Sequence, residues 1–187
     1  VETPNGSFTA DEGPRATTTM EALAGLRPVV RGGTLVTAGN ASSLNDGAAA
    51  VLVASESAIA RLGLTPRARV IGGASAGLSP EVMGLGPVPA IEKLMARTGS
   101  ELAGFDAIEL NEAFATQAIA VMRRLNLREE IVNADGGAIA LGHPLGASGA
   151  RILVTLLGRM QREGAARGLA SMCVGVGQGA ALAIEAV

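Results

Sequence analysis

From Pro66 onward the sequence alternates short apolar runs with longer amphipathic stretches, and this alternation restricts the chain to a layered α/β architecture. Strand character is expected at residues 68–74, 107–110, 169–174 and 180–186, with a short extended stretch at 131–133. Helical spacing is expected at residues 88–97, 113–125 and 150–163, the first of these entered through Pro87 and Pro89. Gly175-Val176-Gly177-Gln178-Gly179 joins the last two strands. No short internal repeat is visible.

The preceding third is organised differently. Residues 1–45 are rich in Thr, Gly, Pro and Asn, with one helical candidate at 17–26 that closes before Pro28. Residues 48–54 form a continuous apolar run suited to a buried strand, and residues 56–62 a helix ended by Gly63. This strand and helix have no neighbours in the pattern.

Composition narrows the function. At 187 residues there is room for one domain and a remnant of another. Hydrophobic residues at 48% against 17% charged exclude disorder. The apolar runs are far shorter than the ~20 residues of a membrane helix, and residues 1–14 show no signal-peptide core. The chain opens without methionine, as a fragment would. One cysteine excludes an intrachain disulfide and fits a reducing compartment, the cytoplasm. A net charge of −2, no basic run and neither Trp nor Tyr argue against nucleic acid. No metal site is expected.

Three segments can carry chemistry. His143 is the sole histidine and stands in Gly142-His143-Pro144-Leu145-Gly146-Ala147-Ser148-Gly149, before a helix. A lone histidine is more often structural, but flanking glycines admit a ligand closely, and imidazole moves protons near neutral pH. Cys173, the sole cysteine, ends an apolar strand; it is either a buried small hydrophobe or a thiol that meets substrate, its thiolate stabilised by a nearby imidazole. Asn111 and Glu112 stand where a strand hands over to a helix, as a cap and a first-turn acid or as groups at a ligand-binding strand end. The glycine run after Cys173 precedes a strand rather than a helix, so a dinucleotide fingerprint is rejected.

Together, Asn111-Glu112-Ala113-Phe114, Gly142-His143-Pro144 through Ser148-Gly149, and Cys173-Val174-Gly175 resemble, in order and spacing, the three C-terminal active-site motifs of the thiolase family. Leu26-Arg27-Pro28, Thr37-Ala38-Gly39-Asn40-Ala41-Ser42 and Asn45-Asp46-Gly47-Ala48 extend the resemblance over nearly the whole chain. It implies an α/β thiolase-like fold, here the C-terminal βαβαβαββ half plus a remnant of the N-terminal half. Residues 1–44 would end the coenzyme A-binding loop region, 45–64 would belong to the N-terminal half, and 65–187 would be the C-terminal domain.

The resemblance also implies roles. The acylated cysteine of the family lies in the first half, within Cys-x-Ser-Gly, and is not among these residues, so the chain alone is expected to be inactive. His143 would activate that nucleophile and help bind the thioester oxygen. Cys173 would move the α-proton, Asn111 would position a water in one oxyanion site, and the Gly175 N–H would help form the other. Ser42, Leu44, Ala113 and Phe114 match positions lining the pantetheine tunnel, and Arg15 lies in the stretch facing the coenzyme A nucleotide. No permanently bound cofactor is implied: coenzyme A and acyl-CoA thioesters are substrates. The expected partners are an N-terminal thiolase half and, in the complete enzyme, further copies in a dimer or tetramer.

Val30 departs from the family, which commonly has an aromatic there. Met83-Gly84-Leu85-Gly86-Pro87-Val88-Pro89 and the segment from Cys173 to Gly179 are most similar to the 3-oxoadipyl-CoA branch, within the wider family of β-oxidation and fatty acid metabolism. A ketosynthase-type condensing enzyme shares the architecture but typically has a second histidine motif. A non-catalytic folding or interaction module is the remaining alternative.

Overall fold

The computed structural model describes residues 2–11 and 13–187. Two short strands, β1 (Glu2–Thr3) and β2 (Gly6–Ser7), pair antiparallel at the start, a hairpin the sequence pattern does not reveal. The helical candidate at 17–26 contracts to α1 (Met20–Ala24), because Thr19 adopts an extended backbone and its side chain accepts the Ala22 N–H. Ser55 caps α2 (Glu56–Leu62) in the same way, and Gly63 closes it at φ 62°.

Residues 48–54 are not a strand, contrary to the sequence expectation. Strand pairing needs a partner edge, and none of the sheet strands takes this segment as a neighbour. Leu52 and Val53 remain 79% exposed.

The rest of the chain follows its alternation: β3 (Ala68–Gly77), α3 (Pro87–Thr98), β4 (Ala107–Leu110), α4 (Ala115–Leu125), α5 (Ala138–Leu141), α6 (Ser148–Glu163), β5 (Arg167–Val174) and β6 (Gln178–Ala186). The sheet order is β3-β6-β5-β4, with β4 parallel to β5 and the other pairs antiparallel. Val132 adds a parallel bridge to Ile108, so the expected extended stretch at 131–133 lies along β4. The short helix α5 was not expected from the sequence.

Period-two alternation explains the two cores. Ile108, Leu169 and Ala183 pack with Ile91 and Leu94 of α3 and with Phe105. Their chain neighbours Ala107, Ala170 and Ile184 pack with Ile152, Leu156 and Met160 of α6. Full burial of each large aliphatic side chain contributes roughly 1.5–3 kcal/mol. Close approach of α6 to the sheet requires Gly168, where a Cβ would meet Leu156 at 3.0 Å and press into Met160. No described helix is long and apolar enough to cross a membrane.

Candidate active site

Because β4 and β5 are parallel, their C-terminal ends open at the same edge of the sheet, where open α/β sheets bind ligands. Asn111 follows β4, and its backbone N–H donates to the Ser171 carbonyl at 2.9 Å, two residues before Cys173. The Asn111 side chain is buried, with neither amide atom bonded to protein among the described residues. It does not cap α4: that helix starts at Ala115, with Phe114 at its N-cap, and the Gln117 side-chain oxygen accepts the Ala113 N–H at 3.2 Å. The capping alternative for Asn111 is therefore wrong, and its amide is free for another partner.

Glu112 also differs from a first-turn acid. Its carboxylate accepts the Ile139 N–H at 3.1 Å and the Asn133 amide N–H at 3.0 Å. Asn133, held at φ 47°, bonds both the N–H and the carbonyl of Leu110 at 2.8 Å. This pair ties the Asn111 loop to the glycine-rich loop leading through α5 to His143. Gly137 lies so close to the Glu112 carboxylate that a Cβ there would overlap it. Asn133 was missed at the sequence level; the only local signal was its place in a turn-forming Asn-Ala-Asp-Gly-Gly run.

His143 leaves α5 through Gly142, whose φ of 100° favours glycine. Its backbone N–H is shared between the Ser43 carbonyl and the Asn45 side-chain oxygen, both at 3.1 Å. Nδ1 lies 2.6 Å from the Ser148 hydroxyl. Burial, and after it the positive charge of Arg151, holds the imidazole pKa below its ordinary value, so the ring is neutral at pH 7.

Cys173 is 6% exposed, and burial pushes its thiol pKa up. Nδ1 of His143 faces Ser148, which leaves Nε2 as the ring nitrogen open to another partner. Gly175 is exposed in the turn between β5 and β6, ahead of Val176 and Gly177, both at positive φ.

The segment 40–45 connects the loops. Asn40 accepts the Ala115 N–H, the Ser42 N–H and hydroxyl both donate to the Ala113 carbonyl, and Ala41 bridges Phe114. Leu44 forms a parallel bridge to His143. Ser42, Leu44, Ala113, Phe114 and His143 are therefore brought along one wall. Arg15 is exposed and makes none of these bonds; its neighbour Gly13 lies against the Ala140 backbone of α5.

Models of two families match this chain: the thiolase N-terminal domain over residues 1–57 and the thiolase C-terminal domain over residues 64–186. The chain belongs to the thiolase family. It is 59% identical over 179 residues to the β-ketoadipyl-CoA thiolase of Pseudomonas aeruginosa, covering 95% of this chain and 45% of that one. It is 55% identical over 178 residues to the acetyl-CoA acetyltransferase of Escherichia coli, again over 95% and 45%. Among solved structures, Bacillus anthracis acetyl-CoA acetyltransferase superposes with a TM-score of 0.93 at 49% identity, over 96% of this chain and 46% of that one. Human mitochondrial 3-ketoacyl-CoA thiolase, solved in complex with CoA, gives 0.91 at 40% identity, over 100% and 47%.

The thiolase-like fold implied by the sequence motifs is therefore the one the chain adopts. This thiolase chain spans about half the length of the relatives it matches, and its one cysteine is Cys173.

Proposed function

We propose that this chain supplies the proton-transfer and oxyanion groups of an acyl-CoA C-acyltransferase, making or cleaving 3-oxoacyl-CoA thioesters. The observation that carries this reading is the meeting of the Asn111 loop, the loop leading to His143 and the Cys173 end of β5 at one edge of the sheet, with the Asn111 amide buried and unbonded to protein among the described residues. His143 takes the proton of a nucleophilic cysteine lying outside these 187 residues, which becomes acylated. Cys173 exchanges a proton with the α-carbon of the second thioester. The Asn111 amide, through a water, and the Gly175 N–H stabilise oxygens that gain negative charge.

Pantetheine lies along Ser42, Leu44, Ala113 and Phe114, with Arg15 toward the nucleotide. Residues 1–44 serve the coenzyme A-binding loop region, 45–64 the N-terminal half and 65–187 the C-terminal domain. Similarity to enzymes named β-ketoadipyl-CoA thiolase supports a 3-oxoadipyl-type acyl chain, as met in aromatic degradation. The working enzyme contains a nucleophile-bearing N-terminal half, is a homo-oligomer, and acts where a free thiol survives, in the cytoplasm.

Intact-protein mass spectrometry tests the roles. With a nucleophile-bearing N-terminal half supplied, Cys173→Ala accumulates acyl-enzyme from acetyl-CoA without condensing it. His143→Ala acylates about 10²- to 10⁴-fold more slowly. Cleavage of acetoacetyl-CoA by the 187-residue chain alone, abolished by Cys173→Ala, would make Cys173 the nucleophile and overturn the assignment.

A further inference from the structure

We propose that Ser148 is a positioning residue that keeps a proton on Nδ1 of His143, leaving Nε2 as the only ring nitrogen that accepts and returns a proton. The use of that proton rests on His143 acting as the base proposed above; the tautomer itself does not.

Ser148 is fully buried at the first residue of α6. Its hydroxyl oxygen is 2.6 Å from Nδ1 and 3.0 Å from the Pro144 carbonyl oxygen. A hydroxyl has one proton and two lone pairs, and a carbonyl can only accept. With the proton directed at Pro144, the lone pairs face Nδ1, which must then donate. The reverse arrangement would hold the hydroxyl oxygen 3.0 Å from the carbonyl oxygen with no proton between them.

The Pro144 carbonyl also accepts the Ala147 and Ser148 N–H groups at 2.8 Å. Back-bonding of a serine hydroxyl to the carbonyl four residues earlier, beside the backbone N–H donors of the same turn, is a known helix pattern. The network therefore selects the Nδ1–H form, whereas a histidine in water favours Nε2–H.

The proton balance follows. A thiol S–H gives its proton to the Nε2 lone pair, yielding a thiolate and an imidazolium whose Nδ1–H remains on Ser148. Return of the Nε2 proton to the departing thiolate restores the neutral ring. Without Ser148, most rings would carry the proton on Nε2 and could not act as base.

His143 is the only histidine, so the nitrogen-15-labelled chain gives one imidazole spin system. Long-range proton–nitrogen correlation spectra, recorded above the ring pKa, should show a protonated Nδ1 and a bare Nε2. Ser148→Ala should move the tautomer ratio toward Nε2–H by about tenfold, and Ser148→Thr, which keeps the hydroxyl, should restore it. A wild-type ring protonated on Nε2, or an unchanged ratio in folded Ser148→Ala, overturns the proposal. If the alanine variant does not fold, the wild-type spectrum still decides. No acyl donor is needed, so this outcome is independent of the acyl-transfer test.

Discussion

Residues 2–63, apart from the undescribed position 12, contain no buried side chain, whereas residues 64–187 hold every member of the two cores on either face of the sheet. Both regions contain apolar runs. What separates them is neighbours: Leu169 in β5 has strands on both sides and α3 above, while Leu52 has neither. Apolar character becomes burial only where a second surface is present to receive it. The leading region is nevertheless tied to the site through residues 40–45, which hydrogen-bond to the Asn111 loop and the His143 loop. It contributes to the site's geometry without a core of its own.

The strongest challenge to this contrast is a pair of substitutions. Leu94→Ala removes a fully buried side chain from the α3 face and should cost about 2–5 kcal/mol in urea unfolding. Leu52→Ala removes one that is 79% exposed and should change stability by no more than about 0.5 kcal/mol. Equal losses at the two positions would mean that residues 48–54 are covered in solution, and the contrast would fail.

What the sequence revealed follows the same division. Strands and helices of the second region were legible because period-two and helical spacings are imposed by two-sided packing, as at Leu169 and Ala170. Residues 48–54 read as a strand because their composition suits one, but pairing is set by a partner that local pattern does not contain. In the site, His143, Cys173 and Asn111 stood out by residue type and motif. Glu112 looked like a helix first-turn acid, and its bonds to Ile139 and Asn133 depend on a loop 21 or more residues away. Ser148 belongs to the same motif as His143, yet its link to Nδ1 follows from the turn at Pro144. Helix α5, at four residues, is too short for any periodicity to show.

A second test sharpens the contrast through charge. Among the described residues, only the region with a core buries a carboxylate: Glu109 on β4 is 1% exposed, and its pKa is pushed up to about 7 by burial, partly opposed by Arg151 and Arg159. A folded-state pKa raised above the ordinary glutamate value of about 4.5 contributes stability that is fully present below pH 4.5 and is lost as pH rises through about 7. Glu109→Gln should therefore match the native chain near pH 5 and exceed its stability by up to about 3 kcal/mol near pH 8. Urea titrations at the two pH values measure this. Parallel pH dependence in both proteins would show that the carboxyl is already solvated.

The smallest expected effect lies at the hairpin tip beside Cys173. Val176 has φ 59°, a left-handed conformation that crowds a β-branched side chain, and it is 82% exposed, so no packing compensates. Its neighbour Gly177 adopts φ 88° without that conflict, and there a Cβ would press into the Leu78 carbonyl. Val176→Gly should relieve about 1–2 kcal/mol of backbone strain while adding roughly 0.5–1 kcal/mol of unfolded-chain entropy. The net gain in thermal or urea stability should be under about 1 kcal/mol. Because the turn carries the Gly175 N–H, relief of strain should also loosen it, detectable as faster amide exchange at residues 174–177 with β5 and β6 still protected. A loss of stability on Val176→Gly would show that the valine side chain makes contacts in solution that outweigh its backbone cost, and would move residue 176 from the strained turn to the packed part of the region.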